Sequence, residues 1–248
     1  MTALTWAARG GHEDVVQILL ERKEVNPNKV DTEYGRTPLS WGARKGHEGV
    51  VKMLLEREDV NPDQADTEFS ATPLSCAAES GYEEIVKMLL AREDVNPDLA
   101  DTRLGRTPLS CAAGRVHEKV VKMLLEREDV NPNQADTGDG GTPLSFAAGN
   151  GHEGVVGMLL ERENVNTNQR DTKYGRTPLS WAAKNGHDGV VKMLLERKDV
   201  CTTTSDNKHR IPLLLALSER RTGVVEILEQ HNANSDAIGC SGQTSLPP

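Results

Sequence analysis

Residues 37–48 read TPLSWGARKGHE, and the phrase returns as TPLSCAAESGYE from Thr72, TPLSCAAGRVHE from Thr107, TPLSFAAGNGHE from Thr142 and TPLSWAAKNGHD from Thr177. The step is 35 residues each time, and a worn copy, TALTWAARGGHE, begins one step earlier at Thr2. A degenerate seventh copy starts at Ile211 with IPLLLALSERRTG, and GQTSLPP reads as the opening of a truncated eighth from about residue 244. Self-similarity at a period of about 20 to 50 residues marks an array of stacked units. The chain is therefore expected to be a single array over residues 1–248, whose length counts copies rather than domains.

Each copy reads as two short helices. Thr37 is an N-cap and Pro38 takes the first helical position, where its missing N–H costs nothing. Leu39 and Ala43 share a face, and Gly46 ends the helix. A second helix starts near His47, with Val50, Val51, Met53, Leu54 and Leu55 forming an apolar stripe of helical period. Met53, Met88, Met123, Met158 and Met193 recur in that stripe and are expected to fill the core, while the KMLLERED edge is expected to be a solvated helix face. The segment DVNPDQADTEFSA, residues 59–71, has no helical period and reads as a loop or hairpin reaching the next copy. Neither helix can bury its stripe within one pair, so stacking must do it. The expectation is an all-α repeat solenoid of helix pairs joined by long hairpin-like loops.

Composition narrows the function. With 36% hydrophobic but only 3% aromatic residues, the core must be built from Leu, Val, Ala and Met. A formal net charge of -9 argues against a nucleic-acid or anionic-membrane surface, both of which need a basic face. No apolar run approaches the roughly 18 residues of a membrane span, and the N-terminus has no secretory signal pattern. Cys76, Cys111, Cys201 and Cys240 form no CxxC pair. Cys76 and Cys111 hold one position in adjacent copies, on helices that pack about 8 to 10 Å apart, beyond the roughly 7 Å Cα limit of a disulfide. Free thiols in a reducing, intracellular and cytoplasmic setting are expected.

These residues identify a resemblance. GRTPLSWGA with KGHEGVV, and GRTPLSWAA with NGHDGVV, are similar to the ankyrin repeat, whose pattern is T-P-L-H-x-A with G-H before the second helix. The resemblance runs from Thr2 to about Leu246. The family's histidine after T-P-L is replaced by Ser40, Ser75, Ser110, Ser145 and Ser180, so the bonds it would make must be made differently. The period is 35 rather than about 33, which places the extra residues in the loops. Long-loop copies of this kind look like those of fungal ankyrin proteins, often downstream of signalling ATPase domains. The resemblance implies a non-catalytic module that binds a protein through a concave face.

Candidate chemistry fails on geometry and spacing. Ser40 and His47 sit at opposite ends of the first helix, their backbones roughly 10 Å apart at about 1.5 Å per residue, whereas a nucleophile and base need about 3 Å. HEGVV lacks the second histidine of HExxH, whose place is Val51. The column His12, His47, His117, His152 and His187 reads as structural. Asp31, Asp66, Asp101, Asp136 and Asp171 supply one carboxylate per step, too few for calcium's six to eight oxygens or so, and Asx-type turn bonding accounts for them better. No phosphate-binding glycine motif occurs. No enzyme activity, cofactor, metal or small-molecule substrate is indicated.

Individuality lies where copies differ. One variable zone is the loop tip: Glu33, Tyr34 and Arg36; Glu68 and Phe69; Arg103, Leu104 and Arg106; Asp139; Tyr174 and Arg176. The other is the end of helix one: Arg44 and Lys45, Arg115, and Lys184. Three of only eight aromatic residues, Tyr34, Phe69 and Tyr174, are at tips, joined by Leu104. An apolar row flanked by arginines reads as a partner surface for an unidentified protein. The alternative is that each tip packs on its neighbour. The column Trp6, Trp41, Cys76, Cys111, Phe146, Trp181 and Leu215 is expected to be semi-buried. A different class of function, a structural spacer or spring within a larger assembly, remains open. Both ends look cut, and end-to-end self-association is expected of an array whose IPLLLAL segment makes a poor cap.

Overall fold

The computed structural model describes residues 1–240, with side chains through Asn234; the opening of an eighth copy at residue 244 and the Cys240 thiol lie outside the described residues. Helix starts follow the sequence chemistry. In every copy from the second to the sixth, the threonine of T-P-L caps the helix: Thr37 Oγ1 accepts from the Ser40 N–H at 3.0 Å and Thr177 Oγ1 from the Ser180 N–H at 3.2 Å. The serine hydroxyl that replaces the family histidine pairs with the capping threonine hydroxyl, at 3.0 Å between Thr37 and Ser40. Helix one ends on a left-handed glycine such as Gly46, φ 76°. The fourth copy places Val116 there at φ 65°, a conformation a β-branched side chain opposes.

Fourteen helices result among the described residues, in two compact units, one over Met1–Asp139 and one from Gly140 onward. The first holds the pairs α1 (Ala3–Gly10) with α2 (Glu13–Leu20), α3 (Pro38–Lys45) with α4 (Glu48–Leu55), α5 (Pro73–Ser80) with α6 (Glu83–Leu90), and α7 (Pro108–Gly114) with α8 (Glu118–Leu125). The second holds α9 (Pro143–Asn150) with α10 (Glu153–Leu160), α11 (Pro178–Asn185) with α12 (Asp188–Glu196), and α13 (Pro212–Ser218) with α14 (Thr222–Cys240). Within each unit, first helices stack on first helices and second on second: α1, α3, α5 and α7 form one row and α2, α4, α6 and α8 another.

The core is a column of aliphatic side chains. Leu39, Ala43, Val50, Val51 and Leu54 are at most 1% exposed, as are their counterparts in the next two copies. Burying each leucine is worth about 1.5 to 3 kcal/mol, and because every interface repeats the same set, stability accrues step by step. The methionine column departs from expectation. Met53 and its four counterparts are half-buried, because they lie at the edge of the stripe where one second helix meets the next. A Cβ at Gly157, for instance, would come within 3.1 Å of the Met193 methyl.

The KMLLERED edge also departs from a simple solvated face. Arg57 donates to the Leu20 carbonyl at the end of the preceding second helix and is clasped by Asp59 at 2.6 Å. Arg92 reaches the Leu55, Arg57 and Val60 carbonyls, and Arg127 the Leu90, Arg92 and Val95 carbonyls. A helix C-terminus leaves carbonyls without partners and carries partial negative charge. Each arginine thus caps the helix of the copy before it.

Candidate partner surface at the repeat tips

The first tip is closed by a backbone bond, Asp31 N–H to Arg36 carbonyl at 2.9 Å, and the next tip donates back to it, Thr67 N–H to Tyr34 carbonyl at 3.0 Å. The aspartate column organises the turn as Asx bonding requires. Asp31 Oδ1 accepts from the Glu33 and Tyr34 N–H groups at 2.8 and 2.7 Å, and Asp101 Oδ1 from those of Leu104 and Gly105. Burial by itself would raise the Asp31 pKa, but these donors and the Trp41 indole more than reverse it and hold it below the usual carboxylate range.

Two tips carry a fuller arrangement. In the first unit, Trp41 Nε1 donates to Asp31 Oδ2 at 2.7 Å, Tyr34 meets the indole edge-on at 5.8 Å, and the Arg36 guanidinium lies 4.5 Å from Tyr34 and 4.9 Å from Trp41. Arg36 then binds Asp66 at 3.1 Å and Glu68 at 2.9 Å, both in the following tip. In the second unit the same parts recur: Trp181 Nε1 to Asp171 at 2.9 Å, Tyr174 edge-on at 5.5 Å, and Arg176 over both rings and 3.6 Å from Asp206. Asp206, gripped also by Arg210, is held down at about 2 despite its burial.

This corrects the expectation of an exposed arginine rim. Arg36 and Arg176 are 4% and 5% exposed, and their charges are spent joining one tip to the next. The cause is a carboxylate one repeat ahead, a distance over which spacing alone does not reveal a pairing. Arg106 is half-buried with its Nε 3.5 Å from Asp136. Tyr34, Phe69 and Leu104 are half-buried, the Leu104 carbonyl accepting from the Thr137 N–H, and of the four apolar tip residues Tyr174 alone is exposed, at 38%.

The remaining residues face solvent more fully. Glu33, Arg44, Lys45, Arg103, Arg115 and Asp139 are exposed, and Lys184 is half-buried. Arg103 lies over Phe69 at 5.3 Å, Arg115 pairs with Glu79, and the Lys184 ammonium sits 5.8 Å from the Trp181 ring. The semi-buried column after the serine spans a wide range, from Trp6 at 59% to Trp41 at 3% and Leu215 at 0%. The histidine column joins neighbouring copies, His47 Nε2 donating to the Arg9 carbonyl at 3.1 Å and His187 to that of Gly149 at 3.0 Å.

Sequence reasoning passed over a second ladder in the outer loop. Asn28 Oδ1 accepts from the Asn61 N–H one copy on, at 2.8 Å, while its Nδ2 donates to the Asp59 carbonyl at 2.6 Å. Asn168 does the same toward Cys201 and Asp199. Asp63 and Asp98 occupy this position in the second and third copies and accept from Asn96 and Asn131. The signal was present in the 35-residue spacing of Asn and Asp after V-N-P.

Stacked helix pairs with fixed, hydrogen-bonded tips and side chains that vary outside the frame define a repeat scaffold. A model of ankyrin repeats in three copies matches residues 1–66, 58–136 and 128–204, and the chain belongs to the ankyrin-repeat family. Such repeats are, in general, protein–protein interaction modules. The solved ankyrin repeat domain of Bcl-3, a member of the IκB protein family, is similar at a TM-score of 0.75 and 22% identity over 92% of this chain and 98% of that one. At that identity the likeness concerns the fold. No curated protein matches the chain.

Proposed function

We propose that this chain is a non-catalytic binding module that holds a protein partner on the face made by its loop tips and helix-one ends. The observation that supports this reading is a contrast: the frame of aspartate turns, threonine caps and tip-to-tip bonds repeats from copy to copy, whereas the side chains it presents outward do not. In the first unit the exposed members are Arg44, Lys45, Arg103 and Arg115 with Glu33, Glu68 and Asp139, and the cations cluster at the helix-one ends. A partner offering carboxylates around an apolar contact complements them. A pre-formed frame keeps the ordering cost of binding low.

A structural spacer is the second reading, and the burial of Arg36 and Arg176 favours it, since the most aromatic tips are used up in joining copies. The two separate by charge removal at exposed positions. Arg44→Ser, Lys45→Ser and Arg103→Ser together should leave helicity unchanged while abolishing capture of a protein from source-cell lysate. Equal capture by both proteins would remove this face as the contact.

A further inference from the structure

Among the described tip aspartates, all but one have the second carboxylate oxygen in use, and two kinds of donor serve it. One is the arginine that ends the tip before: Arg36 serves Asp66, Arg106 serves Asp136 and Arg176 serves Asp206, at 3.1, 3.5 and 3.6 Å. The other is a tryptophan in the first helix that follows the aspartate, as Trp41 serves Asp31 and Trp181 serves Asp171. Asp101 has neither. Ala71 stands where the preceding arginine would, and Cys111 where the tryptophan would. Its Oδ1 accepts from the Leu104 and Gly105 N–H groups, while its Oδ2 bonds to no described residue.

Of the two vacant places, the arginine's is covered. Arg103 lies over Phe69 at 5.3 Å, much as Arg36 lies over Tyr34 at 4.5 Å. The tryptophan's place is open. Cys76, one copy earlier, is 3% exposed beneath Arg44, whose guanidinium is 4.0 Å from its sulfur, whereas Cys111 is half-buried. The counterpart of Arg44 over Cys111 is Glu79, which pairs with Arg115 instead. The chain itself shows what fills such a place. Trp41 and Trp181 each donate the indole N–H to the aspartate, meet the tip tyrosine edge-on and lie 4.9 and 4.6 Å from the arginine that ends the tip. Around Cys111 the same parts recur without an indole: Asp101 as acceptor, Leu104 for the tyrosine and Arg106 for the arginine.

We infer that the space over Cys111 is a seat for the indole of a tryptophan carried by the protein partner. The indole N–H donates to Asp101 Oδ2, and the ring lies against Leu104 beside the Arg106 guanidinium, a setting that suits an aromatic ring with one polar end. The inference rests on the protein-binding reading for the source of the tryptophan, and on the Asp101 geometry for its chemistry.

The test titrates the isotope-labelled chain with the peptide acetyl-Glu-Trp-Glu-amide and follows amide resonances. Saturable shifts of the Leu104 and Gly105 amides are expected, since both donate to the carboxylate that receives the indole. Phenylalanine in place of the tryptophan should weaken binding by about fivefold or more, the loss expected of one hydrogen bond, and arginine should weaken it too. Asp101→Asn keeps Oδ1 for the turn and sets an amide donor against the indole. Cys111→Trp fills the seat from within, as in the second and sixth copies. Both variants should lose the response with helicity unchanged, and Cys111→Trp decides alone if Asp101→Asn disturbs the turn. No shift at Leu104 and Gly105, a phenylalanine or arginine peptide that binds as tightly, or a Cys111→Trp chain that still responds overturns the inference. Capture from source-cell lysate separates it from the broader reading. A protein held equally by the parent and by Cys111→Trp overturns the seat and keeps the binding module, whereas capture by neither removes the module and leaves the seat to the peptide result.

Discussion

Asp63→Asn and Asp98→Asn are expected to stabilise the first unit, each through one atom. Asp63 Oδ2 accepts from Asn96, but its Oδ1 is enclosed and has no hydrogen-bond partner, and Asp98 repeats this with Asn131. In the first and fifth loops the equivalent atom is the Nδ2 of Asn28 and Asn168, which donates to the carbonyls of Asp59 and Asp199. An asparagine at 63 or 98 regains that bond, worth about 1 kcal/mol net, and the pair of substitutions about 2 kcal/mol. Removing the carboxylate also removes its burial penalty, which raises both pKa values in the folded chain against the opposing Asn96 and Asn131 N–H groups.

The pH dependence has a definite sign. Because the folded pKa lies above the unfolded value of about 3.9, the folded state binds protons the unfolded state has released, and wild-type stability rises as pH falls through the folded pKa. The advantage of the double variant is therefore largest near neutrality and narrows toward the unfolded pKa, where the protonated acid can itself donate to the carbonyl. Urea unfolding followed by circular dichroism at pH 7 and at pH 4.5 measures both. A double variant no more stable than wild type at pH 7, or an advantage that grows as pH falls, would refute the reasoning. Asn28→Asp introduces the same defect and should cost about 1 to 3 kcal/mol.

Val116→Gly relieves a left-handed β-branched residue and should raise stability by about 1 kcal/mol, read from the urea midpoint. Arg92→Met removes donors from three carbonyls and should cost about 1 to 3 kcal/mol, more than Arg103→Met, whose side chain is exposed. Cys201, lowered to about 7 by the Thr203 and Thr204 hydroxyls, should react with a thiol reagent at pH 7.5 well before Cys111, which burial pushes up to about 12; peptide mapping of the labelled chain compares the two.

The helix pairs were legible because their signals are local. Thr-Pro starts, glycine stops and the valine-leucine stripe act within a few residues, and the repeat step supplied the stacking. The aspartate turns were legible for the same reason, since an Asx turn closes on its own backbone. Arg36 was not. Its partner Asp66 lies one repeat on, and a guanidinium beside a tyrosine at a loop tip resembles an exposed hot spot until the next tip is set against it. The arginines of E-R-E-D were hidden similarly, since they read as one face of a solvated edge, and the carbonyls they cap belong to helices that end 37 residues earlier. The methionines have the period of the core but sit at the seam between copies, a distinction of angle that a count of apolar positions does not resolve.

In the first unit the bonds between copies run mostly one way: imidazoles, guanidiniums and loop N–H groups of a later copy give to oxygens of an earlier one, Arg36 being the chief exception. Such a stack has a direction, as a row of aligned arrows has. Turning one copy end for end within the row would set donor against donor and acceptor against acceptor, so the order of the copies is fixed by their bonds as well as by the chain that joins them.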